Sequence, residues 1–259
     1  MRLFLSEFAI FIRKQASCAL FGGLILFFLL LSRYVGIRGV PRYDALFVIA
    51  VLIQIILVWT KLEDPREVMV IIVFHISAMA MELYKISVGS WSYPEPAFFA
   101  IGAVPLFTGF MYSSVGSYIA RSWRINKFRF ENLPRRGILL LLGIVIYANF
   151  FTDHFTYDAR WLIFFVLIAA FWKTKFYSTI TTRIFQLHPL FTNALLASFI
   201  WLAEQIGTFA RAWVYPYQKI GWQPVSFHTF TSWYMLLIFS FIIISLLYKR
   251  EDKNVSIEA

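Results

Sequence analysis

The sequence predicts an all-α fold, a polytopic membrane helix bundle of about eight transmembrane helices with both termini cytoplasmic. Three observations predict it. Of the 259 residues, 60% are hydrophobic and 15% charged, whereas soluble domains average about 45–50% and about 25%. The apolar residues gather into long runs. The basic residues, which set a net charge of +10, gather in the short segments between those runs. No domain-sized polar stretch interrupts this pattern, so residues 1–259 read as a single integral membrane domain. Residues 1–15 are its interfacial N-terminal segment and residues 249–259 its cytoplasmic tail.

Leu3–Ile12 (LFLSEFAIFI) reads as a short amphipathic segment lying on the cytoplasmic surface. The first span is Ala16–Leu31, without the small-residue cleavage site that would follow a signal peptide. Ala45–Thr60 is the second. Val68–Ile86 is the third, opened by Asp64-Pro65, an N-cap followed by proline. Ala97–Ala120 is the fourth, with Pro105 inside it as an expected kink. Gly137–Phe151 follows Pro134, and Trp161–Trp172 is stopped early by Lys173. Leu190–Ile206 follows His188-Pro189, and Trp233–Leu247 closes the series. Thr174–Phe185 is rich in β-branched and polar residues and suits an interfacial turn or short extended segment. No repeat of two four-helix halves is evident.

Loop charge sets the orientation. Arg121–Arg136 carries six Lys/Arg residues against Glu131 and is placed in the cytoplasm. Alternation then puts Lys173–Pro189, the N-terminus and the tail with Lys249, Arg250 and Lys253 on the same side. The loop holding Arg33, Arg38 and Arg42 falls outside, against the charge rule. The same topology accounts for the basic charge without nucleic acid, and no nucleic-acid fold signature is present. The lone cysteine, Cys18, excludes an internal disulfide. The 20% aromatic content fits lipid-facing Phe with interfacial Trp and Tyr belts, or the lining of an apolar pocket.

This orientation collects the ionisable residues and Trp/Tyr at the outer end of the bundle, where they are costly enough to suggest a site. On the third span, Glu82 and Lys85 stand at i and i+3 and are expected to pair. His75, a turn pair earlier, reads as a core histidine. Gly89–Pro96 (GSWSYPEP) then makes a turn in which Trp91 and Tyr93 suit a headgroup-level lid. The fifth span ends with Asn149, Asp153, His154, Tyr157, Asp158 and Arg160; a continued helix sets His154 and Asp158 at i,i+4, a pairing suited to proton transfer. The spacing of Asp153, His154 and Asp158 matches no metal motif, and no cofactor motif occurs. On the seventh span, Glu204, Thr208 and Arg211 share one face at i, i+4 and i+7. Trp213–Trp233 is too aromatic for a solvated linker and reads as a lid, with Trp213, Gln218, Trp222 and His228 as binding groups.

Four stretches carry a family resemblance: ELYKISVGSWSYPE (Glu82–Glu95), VPLFTGFMYSSVGSYIARSW (Val104–Trp123), FFTDHFTYDARW (Phe150–Trp161) and WLAEQIGTFARAWVYPYQ (Trp201–Gln218). Over most of its length the chain resembles the YoaT-like bacterial integral membrane proteins, domain of unknown function 817. The resemblance implies the bacterial inner membrane and no particular activity. Separately, Glu82, Gly89, Tyr93 and Val104-Pro105-Leu106 are similar to the E…G…Y…VPL pattern of membrane carotenoid hydratases. That likeness implies a carboxylic acid that protonates an isoprenoid double bond, to which water adds.

Three functional readings follow. The first is a membrane-embedded enzyme acting on a lipid or isoprenoid. Glu82 and Glu204 are its acid/base groups, Asp153 belongs to the same catalytic cluster, and His154 is the proton shuttle. Lys85 and Arg211 contact charge. The second is a proton- or cation-coupled transporter, which requires a second polar gate at the cytoplasmic end, where the sequence offers Asn193 and His188. The third is a non-catalytic assembly protein.

Overall fold

The computed structural model describes residues 2–156, 158–180 and 183–247. Helices dominate: α1 Arg2–Cys18, α2 Leu20–Leu31, α3 Arg42–Trp59, α4 Pro65–Ser87, α5 Phe107–Ile125, α6 Arg136–Thr152, α7 Arg160–Phe171, α8 Pro189–Phe209 and α9 Phe227–Leu247. The five short strands among the described residues are β1 Ala100–Ile101, β2 Val104–Pro105, β3 Arg129–Glu131, β4 Lys175–Thr179 and β5 Ile184–Leu187. The molecule is an all-α bundle of the kind that suits a membrane. Six of the eight apolar stretches lie mainly on one helix each; Ala16–Leu31 is divided between α1 and α2, and Ala97–Ala120 is helical only from Phe107. Four of them (α3, α4, α8, α9) are long and apolar enough to cross a membrane alone, and α1–α2 count as a fifth span broken by a 66° bend. α6 and α7 are apolar but shorter. The C-terminal tail lies outside the described residues.

Two boundaries differ from the sequence reading. Residues 97–106 are not helical. They form the β1–β2 hairpin, turned at Gly102 with φ 59° and anchored by the buried Asp44 carboxylate, which accepts from the backbone N–H of Phe98 (2.9 Å) and Phe99 (2.8 Å). Pro105 therefore precedes α5 rather than kinking it; with no N–H, proline is tolerated at the lip of a helix. The N-terminal segment is helical, and α1 runs on to Cys18 before the bend.

The three-stranded sheet β3-β4-β5 draws the α5–α6 and α7–α8 connections to one end of the bundle. That agrees with Thr174–Phe185 as an extended segment and with both basic loops sharing a face. α1 joins them there: Glu7 pairs with Arg183 at 3.1 Å, and Lys14 Nζ donates to the Thr179 carbonyl at 3.2 Å. The Arg33/Arg38/Arg42 loop lies at the opposite end, where Arg33 sits 4.4 Å from the Phe209 ring centre and Arg42 pairs with Glu95 at 3.0 Å.

The core is packed most closely between α4 and α5, where small residues let the helices touch. A Cβ added at Gly109 meets the His75 ring at 2.4 Å, and one at Gly116 meets Phe74 at 2.8 Å. His75 is thus a packed core residue, edge-on to Phe110 at 4.8 Å. Gly109→Ala and Gly116→Ala are expected to cost about 1–3 kcal/mol by overpacking, read as a lowered thermal midpoint of the purified protein. Gly137→Ala, where a Cβ meets nothing within 4 Å, leaves the midpoint unchanged or raised.

Candidate functional site

Two carboxylates organise the end of the bundle opposite the sheet. Glu82, near the C-terminus of α4, is 2% exposed, and Glu204, near the C-terminus of α8, is 5% exposed. A buried carboxylate is tolerated only when its oxygens are filled by donors. Glu82 Oε2 accepts from Trp91 Nε1 at 2.9 Å and the Tyr93 hydroxyl at 2.8 Å, and its Oε1 accepts from Tyr112 at 2.7 Å. Glu204 Oε1 accepts from Trp213 Nε1 and the Tyr215 hydroxyl, each at 2.8 Å, and its Oε2 accepts from Trp233 Nε1 at 3.0 Å.

The two cages are copies of one arrangement, a relation that reading the sequence for whole-span repeats overlooked. In each, the tryptophan lies nine residues and the tyrosine eleven residues after the glutamate. Both tyrosines are followed by proline (Pro94, Pro216), so the motif is E-x8-W-x-Y-P. Each third donor comes from the next long helix, Tyr112 on α5 and Trp233 on α9, 30 and 29 residues on. Both α4 and α8 begin with proline at the first helical position. The copies face each other: Ser92 and Val214, the middle residues of the two W-x-Y segments, exchange backbone hydrogen bonds of 3.0 and 2.9 Å. Tyr112 stacks on Trp233 at 5.6 Å, and Trp91 meets Tyr215 edge-on at 6.2 Å. The helices α4 and α8 therefore end at the same end of the bundle, and the loops that follow them meet in an antiparallel bridge.

The cages open on a cavity of about 990 Å³ lined by both glutamates and all six of these aromatic rings. The cavity continues between the halves past Gly22, Leu26, Leu196 and Leu237 to Phe11, Phe128 and Phe176 near the sheet. Leu195 and Phe199 line it and are exposed on the flank of α8, so it also opens sideways.

The other sequence candidates divide into three groups. Lys85 and Asp153 line the cavity as an ion pair of 2.7 and 3.0 Å, so Lys85 binds Asp153 and not Glu82 as expected. Lysine reaches across to α6 because the glutamate's oxygens are already occupied. Arg160, 5% exposed, and His228 also line it: the guanidinium pairs with Asp158 at 3.3 Å, donates to Thr231 Oγ1 at 2.8 Å, and lies 3.0 Å from His228 Nδ1. A second group is structural. Gln218 is buried and ties the Pro216–Gln218 turn to the Tyr215 N–H and the Gln223 carbonyl, while Trp222 donates to Thr208 Oγ1 at 3.2 Å. The third group leaves the site. α6 stops at Thr152, so His154 and Asp158 are not helical neighbours; His154 is exposed against Phe155. α8 stops at Phe209, and Arg211, at φ 56°, turns to the surface instead of sharing the Glu204 face. Trp213 and Tyr215 point inward rather than forming a lid. Tyr112, Tyr215 and Trp233 are site residues the sequence reading missed; the repeated W-x-Y-P was the signal for the second.

The Tyr93 and Tyr215 hydroxyls lie in the loops, and their pKa values are raised well above the ordinary tyrosine value, first by burial and then by the adjacent Glu82 and Glu204 charges. A raised value means the folded state keeps protons that the unfolded chain releases. This stability is complete below about pH 10 and is lost as pH rises through the folded values. The alkaline fall of the thermal midpoint is expected to be shallower in a Tyr93→Phe/Tyr215→Phe double variant than in the parent, compared at matched starting stability.

A family model for proteins of unknown function, DUF817, matches residues 7–241. The uncharacterized protein YoaT of Bacillus subtilis (strain 168) is 37% identical over 241 residues, covering 93% of this chain and 91% of the relative. No solved structure matches. If the two cages are equivalent, Trp91→Phe and Trp213→Phe should destabilise by similar amounts, about 1.5–3 kcal/mol for a hydrogen bond to a charged group. Trp161→Phe, at an exposed ring, is the control expected to leave the thermal midpoint in place.

Proposed function

We propose, since this chain belongs to the DUF817 family of proteins of unknown function, that it is a membrane-embedded enzyme acting on a lipid or isoprenoid by carboxylate acid/base chemistry. The observation that carries the reading is the cavity, apolar along most of its length and closed at one end by Glu82 and Glu204. Such polarity suits an amphiphile whose chain lies among the apolar side chains and whose reacting group meets the carboxylates. The sideways opening along α8 suits entry from the bilayer. The likeness to carotenoid hydratases inclines the substrate toward isoprenoids; our reading sets the protein in the bacterial inner membrane, and the charge of its basic loops supports an orientation with Glu82 and Glu204 outward.

In this reading Glu82 and Glu204 exchange protons with the substrate. Each has three donors on its roughly four lone-pair positions, which leaves room for one proton or contact from the cavity. The indole N–H groups only donate, so they hold the carboxylate planes fixed without competing for that proton. Asp153 and Lys85 form a charged wall beside Glu82, and Arg160 with His228 forms another. His154 has no part.

A specific observation favours a second reading, proton- or cation-coupled transport. Toward the sheet end lie the buried Glu63, which accepts from Ser117 at 2.6 Å and from Gln54, and the buried Glu67, paired with Arg124 at 2.8 Å. This reading takes them as the second gate, set beside the cavity rather than in its wall, where Asn193 bonds the Tyr234 carbonyl; His188 is exposed at the start of α8.

Comparative lipid and isoprenoid mass spectrometry separates the two. Cells lacking the protein and cells carrying Glu204→Gln are expected to accumulate the same species, as removal of an acid/base group lowers turnover by about 10²-fold or more. An unchanged profile, with the variant folded and inserted, would reject the enzyme. Solute uptake that follows a pH gradient and is lost in Glu204→Gln would then establish transport.

A further inference from the structure

We infer that the paired cages form a site for an organic cation, a substituted ammonium carried at the end of an apolar chain. The first observation is charge. Among the described residues neither Glu82 nor Glu204 has a cationic partner, and the cations nearest in the cavity wall are engaged, Lys85 by Asp153 and Arg160 by Asp158. Two uncompensated carboxylates beside each other in an apolar interior are unfavourable for the empty protein and favourable for a cation that enters.

The second observation is the wall. The same end of the cavity is surfaced by three tryptophans and three tyrosines. Their ring edges point hydrogen at the carboxylates; Tyr112 and Trp233 cover one face of each other and Tyr217 covers one face of Tyr215, which leaves the remaining ring faces for other contacts. Tryptophan and tyrosine faces attract alkylated ammonium groups, most strongly where water is excluded. The third observation is the duplication. Because the cages repeat one motif and meet at the antiparallel Ser92–Val214 bridge, one group lying between them is approached by a carboxylate and its rings from each side.

An inorganic cation fits less well. Most of the carboxylate lone pairs are taken by N–H and O–H donors and are not available to a metal, and the indole N–H groups have no lone pair to offer it. Among the described residues no group of three or more His, Cys, Asp or Glu side chains is placed to hold one. A diffuse cation needs no coordination by lone pairs. The inference rests on the reading of the cavity as a lipid-chain site for the ligand's tail, and adds the identity of its head.

The test is a binding measurement on the full chain in nanodiscs, with empty nanodiscs as the blank. Tryptophan fluorescence is titrated with octyltrimethylammonium and with the neutral hydrocarbon of the same shape, in which the quaternary carbon replaces nitrogen. The ammonium is expected to bind more than about tenfold tighter, with the preference reduced in Glu82→Gln and again in Glu204→Gln. Equal binding of the neutral isostere to the unaltered protein overturns the proposal and needs no variant to fold. So does a preference that persists undiminished in both folded glutamine variants, or displacement of the ammonium by sodium at constant ionic strength. A flat lipid profile alongside a cation preference would remove the enzyme and leave the cation site. A changed profile with no preference would do the reverse.

Discussion

Everything at the cage end of this bundle follows from the need to satisfy two carboxylates buried in apolar surroundings. An unfilled carboxylate there would destabilise the fold by more than any single apolar contact contributes. Each glutamate therefore fixes the course of the chain after its own helix. The segment after α4 must return so that Trp91 and Tyr93 reach Glu82, and the segment after α8 must return so that Trp213 and Tyr215 reach Glu204. The two returns meet at Ser92 and Val214. The third donors, Tyr112 and Trp233, then tie α5 and α9 to the same points.

The duplication explains why a cavity exists between the halves. Each half packs its own helices: α4 lies against α5 through Gly109 and Gly116, and α8 runs alongside α9. Gly207 shows how tightly a cage is seated, since a Cβ there would meet the Trp213 ring at 2.1 Å. Between the halves the cage rings meet at one end, α5 and α9 pack through an apolar cluster that includes Ile119, Ala120, Leu237 and Ile238, and Trp123 stacks on Phe241 toward the sheet, while the cavity runs beside these contacts.

The opposite end is built on different physics. Around the start of α4 and the end of α5, buried Glu63 accepts from Ser117 and Gln54, buried Glu67 pairs with the exposed Arg124, and buried Arg121 donates to Ser17. Here charges of both signs occur together, and Asp64 closes a capping box with Glu67 at the first turn of α4. The cage end, by contrast, holds its two central charges with neutral donors. That asymmetry is what separates a structural network from a site.

Apolar runs, prolines and basic loops were enough to define an all-α membrane bundle, the positions of its helices and the end at which polar residues collect, because the bilayer imposes length and composition on each span separately. Glu82, Glu204, Trp91 and Tyr93 were legible for the same reason: ionisable and amphipathic residues at a span's end stand out from hydrocarbon. What failed were inferences that continued a helix past its end. His154 and Arg211 were aligned by helical spacing with Asp158 and Glu204, but α6 and α8 stop first, and Pro105 was placed inside a helix that begins two residues later. The sequence also held both copies of E-x8-W-x-Y-P, yet identity at four positions in so long a chain stays inconspicuous until the carboxylates give it a purpose. Only the tertiary structure decided that Lys85 binds Asp153, that Tyr112 and Trp233 complete the cages, and that the halves enclose a cavity. These are contacts between helices far apart in the chain, and local composition does not choose which helices become neighbours.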